Sequence, residues 1–155
     1  SIGFNVGRES YRDEESRRDI LSLVAESGCP ANRVWFELME PDVAVAMTDA
    51  KRFVEPLVSA GCRIVLDGVS GGLGTLQIVE ALPIAAIKAG RPLVGSREGA
   101  PATTGIMVAL LDMCRAMDLI LIGKDVVHGD QATRLAHMGV SYLQGGAVAE
   151  PVVMP

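Results

Sequence analysis

At 155 residues, 49% hydrophobic but only 4% aromatic, the chain can bury one aliphatic core, which favours parallel strands covered by helices over an aromatic-rich sandwich. A net charge of −5 with no lysine- or arginine-rich stripe argues against nucleic-acid backbone binding, and no apolar run approaches the ~20 residues of a membrane span. Three widely spaced cysteines, Cys29, Cys62 and Cys114, read as reduced thiols of a cytoplasmic protein with no secretory leader.

Apolar runs of strand length alternate with helical patterns. The spacing predicts a strand over Ile2–Val6 and a helix over Asp13–Ser27, whose Ile20, Leu21, Val24 and Ala25 share one face and which Gly28 stops. A second strand is expected at Val34–Met39. A long helix over Pro41–Ala60 follows, opened by Pro41, ended by Gly61, and kinked or broken near Val54 by Pro56. Next come a strand at Arg63–Asp67, a helix at Thr75–Ala81, a strand at Ala85–Lys88 and a helix at Thr103–Met117. A strand at Leu119–Ile122, a helix at Gly129–Met138 and a strand at Ser141–Gln144 complete the series. Repeated strand-helix order with right-handed crossovers implies an α/β fold with a parallel sheet, as in part of a (β/α) barrel of about six strands. No linker or repeat divides it, so residues 1–155 are read as one domain.

In such a sheet, ligands sit at the carboxyl ends of the strands. Asn5, Glu37, Asp67, Lys88 and Gln144 stand at or near those ends, and Lys124 lies just beyond another. An amide, two carboxylates, two lysines and a glutamine form a coordination-type set rather than a random wet edge. Other signals are weaker. Gly68–Thr75 fits neither the dinucleotide nor the P-loop spacing and reads as a tight strand-to-helix turn. His128 and His137 lack a metal-helix pattern and read as capping or solvated groups. Ser10, Ser70 and Ser96 have no elbow motif or evident base.

The run Ile64-Val-Leu-Asp-Gly-Val-Ser-Gly-Gly-Leu-Gly-Thr, then Leu82-Pro83, then Ala85-Ala-Ile-Lys88 resembles the signature of EAL domains, the cyclic di-GMP phosphodiesterases. Their typical form reads Leu-Asp-Asp-Phe-Gly-Thr-Gly, Leu-Pro and Ile-Lys-Ile-Asp. The likeness extends over nearly the whole chain. Phe4-Asn5-Val6 is similar to the Asn-Leu-Ser strand and Glu37-Leu38-Met39-Glu40 to Glu-Leu-Thr-Glu. Arg91-Pro92-Leu93-Val94 resembles the Arg-Ser-Phe-Val after the lysine, and Gln131, Gly139 and Tyr142-Leu143-Gln144-Gly145 through Pro151 resemble the tail. In active members, the resemblance implies, a carboxylate cluster with an asparagine holds Mg²⁺ or Mn²⁺, which activates water against an anionic phosphodiester. Carried over, Asn5, Glu37 and Asp67 stand where metal ligands would be, Glu40 where a supporting acid would be, and Lys88 where the catalytic lysine would be.

The departures from the pattern are as pointed as the matches. Gly68 replaces the second Asp of the pair. The Ala-Glu-Gly-Val-Glu motif aligns with Gly123-Lys-Asp-Val-Val127, so its acids become Lys124 and Val127. The segment with the Glu-Ala-Leu motif is absent, and the tail lacks the aromatics expected near a guanine. A fixed ammonium at Lys124 beside Asp67 and Glu37 is expected to repel a divalent ion and satisfy those acids itself. The sequence thus predicts a degenerate EAL-like module with no metal or other cofactor, Mg or Mn entering only if the site works after all. Its expected role is regulation through a protein partner or a homodimer that covers an open sheet edge. The alternatives are a cyclic di-GMP receptor binding through Asn5, Asp67, Lys88 and Gln144 without hydrolysis, and a residual phosphodiesterase.

Overall fold

The computed structural model describes residues 1–95 and 101–149; Ser96 and Pro151 lie outside them. Two compact units are present, Ser1–Gly68 with Gly72–Ala85, and Val69–Gly71 with the described residues from Ala86 onward.

The first unit runs β1 (Ile2–Val6), a 3-10 turn at Arg8–Tyr11, α1 (Glu14–Glu26), a second 3-10 turn at Ala31–Arg33, and β2 (Val34–Met39). It continues through α2 (Glu40–Val45), α3 (Met47–Ser59), β3 (Arg63–Val69) as far as Gly68, and α4 (Leu73–Ala81). The strands pair in parallel, with Phe4 opposite Phe36 and Phe36 opposite Ile64. Val34, Phe36 and Leu38 on β2 are buried while the residues between them are not, so this strand reads by alternation. The middle of β3, Ile64–Asp67, is buried without alternation, as a strand covered on both faces should be. Asp13 caps α1, its carboxylate accepting from the backbone N–H groups of Glu15 and Ser16 at 3.0 and 3.2 Å and so satisfying two of the helix's first donors. The Ser16 hydroxyl, which donates to the same carboxylate, holds Asp13 below the usual carboxylate range.

The long helix expected over Pro41–Ala60 is two helices, and the break is not at Pro56. It falls at Ala46, whose backbone leaves the helical region at φ −128°, ψ 39°. Pro56 sits inside α3. A proline there deprives the carbonyl four residues back of its N–H partner, and that carbonyl, of Arg52, instead accepts from the Arg17 guanidinium at 3.5 Å. Gly61 does end α3, at φ +96°. Its N–H donates to the Val58 carbonyl and the Cys62 N–H to that of Leu57, the paired bonds of a left-handed glycine cap.

The second unit contains β4 (Ile84–Ala89) from Ala86 onward, the single-turn α5 (Arg91–Val94), α6 (Pro101–Ala116), β5 (Ile120–Gly123), α7 (Gly129–Met138) and β6 (Tyr142–Leu143). Its strands also pair in parallel, Lys88 opposite Ile122 and Ile122 opposite Tyr142. β6 is shorter than Ser141–Gln144 because the Gln144 carbonyl turns to accept from the Val126 N–H at 3.1 Å. His128 stands at the N-cap position of α7 and is exposed. The Gln131 side chain reaches back to accept from the Val127 and His128 backbones at 2.9 and 3.1 Å. Cys114 lies in this core, where burial pushes its thiol up to about 11. No described helix is long and apolar enough to cross a membrane.

Candidate functional site

In the first unit, register decides how the candidate side chains stand. Asn5 pairs with Glu37, Glu37 with Val65, and Met39 with Asp67. Alternate residues of a strand share a face, so Asn5, Glu37 and Asp67 lie on the same side of the β1–β2–β3 sheet. They occupy two levels, Asp67 one same-face step nearer the carboxyl ends. Asn5 is exposed, Glu37 half-buried, and Asp67 buried at 6% exposure.

The carboxylates have different near neighbours. A Cβ added to Gly3 would meet Glu37 Oε1 at 2.6 Å, so this carboxylate reaches over β1 and back toward the amino ends. A larger residue at position 3 would make this flexible side chain shift. Asp67 Oδ1 accepts from the N–H of the next residue, Gly68, at 2.5 Å. Glu40, the first residue of α2 and buried, accepts from the Thr75 hydroxyl on α4, which is itself 1% exposed. A buried carboxylate without donors would cost several kcal/mol, so these contacts explain how acids persist in an apolar setting. Among the described residues no three or more His, Cys, Asp or Glu side chains form a group that could hold a metal ion.

Gly68 has φ +67°, in the left-handed region that favours glycine and that Asp and Asn tolerate better than other residues. Its backbone therefore does not itself forbid an aspartate.

In the second unit, Lys88 on β4 is 7% exposed. Lys124 immediately follows β5, half-buried, its backbone N–H bonded to the Ala89 carbonyl at 2.9 Å. Its Cε would lie 3.2 Å from a Cβ on Gly90, so the side chain lies across the end of β4, two residues past Lys88. Val127 is 53% exposed in the loop before α7. Gln144 is exposed just beyond β6, held by its N–H to the Gly123 carbonyl at 2.8 Å.

Three contributors escaped the sequence reading: Thr75, Met39 and Gly3. Thr75 stood inside a glycine-rich run that reads only as a turn. Nothing in a linear pattern shows that its hydroxyl meets an acid 35 residues earlier.

A model of the EAL domain matches residues 1–151. This chain belongs to the EAL domain family. Cyclic di-GMP phosphodiesterase RocR of Pseudomonas aeruginosa is 24% identical to this EAL chain over 152 residues, covering 98% of the chain but 39% of RocR. The chain thus spans well under half of that curated relative. Among solved structures, the Xanthomonas citri FimX EAL domain in complex with c-diGMP has a TM-score of 0.91 at 20% identity, covering 98% of this chain and 60% of that one. The FimX EAL domain of P. aeruginosa bound to c-di-GMP has a TM-score of 0.88 at 17% identity, with 96% and 61% covered. At such identities the structural likeness establishes the fold alone. The EAL-like α/β fold with six strands, each registered pair parallel, is the one the sequence led us to expect.

Proposed function

We propose that this EAL chain is a catalytically inactive module of cyclic di-GMP signalling, acting through contact with another protein or a second copy of itself. The observation that carries the reading is Gly68. The place of the second acid of the family's Asp-Asp pair holds no side chain, and its N–H binds the first acid, Asp67. Hydrolysis by the family's chemistry needs divalent ions held by several anionic ligands. Here Asn5, Glu37 and Asp67 supply two carboxylates, and Glu37 leans over Gly3, one same-face step toward the amino end of β1. At positions 124 and 127, where the family has acids, the chain has a cation and an exposed valine. The donor set does not fit a divalent ion.

A second reading has its own support. Both FimX EAL domains were solved with cyclic di-GMP, and a receptor that binds without hydrolysis would draw on Asn5, Asp67, Lys88 and Gln144. Titration of the purified chain with cyclic di-GMP, with and without Mg²⁺, beside a hydrolysis assay in Mg²⁺ or Mn²⁺, separates the readings. The leading one expects no linear product and affinity weaker than about 0.1 mM (~5 kcal/mol). Micromolar binding with the nucleotide left intact favours the receptor. Metal-dependent conversion to the linear dinucleotide overturns both.

A further inference from the structure

The outer edge of β1 carries none of the usual protections of a sheet edge. Among the described residues this strand pairs with β2 alone. Soluble proteins blunt such an edge with lysine, proline or a bulge, and Ile2-Gly3-Phe4-Asn5-Val6 has no charge, no proline and an unbroken register to β2. Phe4 is 49% exposed although its ring stacks on Phe36 with centroids 6.0 Å apart. On the same face an open groove of about 460 Å³ lies between the strands and α1, lined by Ile2, Phe4, Val6, Leu23, Val24 and Phe36. Leu23, on α1, is 66% exposed.

The order of residues along β1 selects the occupant of this edge. Apolar residues stand at both ends and at the centre, with a small and a polar residue between them, so the pattern reads alike in both directions. We propose that β1 pairs antiparallel with β1 of a second copy of this chain, about a two-fold axis at Phe4, in a weak dimer. The symmetry sets Ile2 opposite the partner's Val6, Phe4 opposite the partner's Phe4, and Gly3 opposite the partner's Asn5. Residues directly opposite share a face, so the apolar side chains meet on the groove side. On the other side Glu37 leans over Gly3, and the partner's Asn5 amide arrives there as a donor to that carboxylate. An ionised carboxylate has about four acceptor sites, so it takes this bond without giving up others. β1 opposes no like charges, although the chain carries −5 overall. Five residues make a small interface, which is why the dimer is weak. Such a dimer rests on the reading that the module acts through contact, and it supplies the surface and the partner.

The test is sedimentation equilibrium of the whole chain from about 1 to 500 µM, beside a cyclic di-GMP hydrolysis assay. The chain should pass from monomer to dimer with a dissociation constant of about 10–100 µM. Phe4→Lys and Phe4→Glu should each raise that constant at least about thirtyfold, the loss of a central contact. Mixed in equal amounts, those two variants should associate at least about tenfold more tightly than either does alone, because the axis brings position 4 against itself. Asn5→Asp, at an exposed position and nearly the same size, sets a carboxylate against the partner's Glu37 and should weaken the dimer about tenfold. It decides the matter if the Phe4 variants do not fold. A chain monomeric throughout, as it would be if a strand of another protein took the edge, overturns the proposal. So does a dimer that Phe4→Lys or Asn5→Asp leaves unchanged, or a mixture no tighter than its components. Conversion of cyclic di-GMP to the linear dinucleotide instead overturns the inactive reading, and sedimentation still decides the dimer.

Discussion

Gly145→Ala is expected to destabilise the carboxyl-terminal part of the second unit by about 3–5 kcal/mol, combining backbone strain with overpacking. Gly145 has φ +149°, and a Cβ there would collide with the Val126 carbonyl oxygen and meet its backbone nitrogen at 2.5 Å. Those neighbours are backbone and cannot rotate aside. The same residues form a chain of bonds, from the Val126 N–H to the Gln144 carbonyl and from the Ala147 N–H to the Val126 carbonyl. Losing it would release Gln144, the candidate ligand contact at this end, while α6 and β5 keep their own packing. Amide hydrogen exchange should therefore show faster exchange at Val126 and Ala147 with little change at Leu110. Stability and exchange within error of the parent would mean that the close approach of Gly145 to Val126 is not needed.

A loss of similar size is expected in the first unit from Phe53→Ala. Phe53 on α3 is fully buried, and its ring stands 5.7 Å from that of Tyr11, tilted by 38°. Removing a buried aromatic side chain costs about 3–5 kcal/mol, from lost burial and from the cavity left behind. The aromatic pairing adds a further fraction. It would also loosen the turn at Arg8–Tyr11 that follows the Asn5 strand. Tyr11 keeps a buried hydroxyl with no hydrogen-bond partner, and burial, then the charges of Asp42 and Glu9, push its ionisation upward. Such a group depends on its packing alone. Urea unfolding checks the prediction, and a loss below about 1 kcal/mol would contradict it.

How much of this was legible in the sequence depended on whether the information was local. β1 and β2 could be bounded from their apolar runs because polar or turn-forming residues close each one. Gly28 and Gly61 marked helix ends, since a left-handed terminus leaves a glycine at a fixed place. The division at Ala46 was not legible. Alanine is a good helix former, and the visible breaker, Pro56, is accommodated by an arginine from a different helix, α1. Among the candidate site residues, the motif located Asn5, Glu37, Asp67 and Lys88 at strand ends. It carried no information on which way each side chain turns. That Glu37 reaches over Gly3, that Thr75 serves Glu40 and that Met39 covers Gly68 are contacts across strands and helices. They emerge only when register is known.

The departures at positions 68, 124 and 127 were plain in the sequence, while their chemical weight depends on geometry. Gly68 shows why. Its φ of +67° strains an aspartate less than most side chains, so the backbone favours glycine here without demanding it. What its absence of a side chain removes is one anionic ligand, and divalent-metal catalysis is sensitive to that. Metal ions supply several kcal/mol of charge stabilisation, so their loss lowers the rate by roughly three orders of magnitude or more.

The most direct measurement is a calorimetric titration of the purified, unmodified chain with Mn²⁺. Only two carboxylates, beside a glycine in place of a third, predict no saturable heat at micromolar to sub-millimolar Mn²⁺. One or two equivalents bound with micromolar affinity, and lost in Asp67→Asn, would contradict the account.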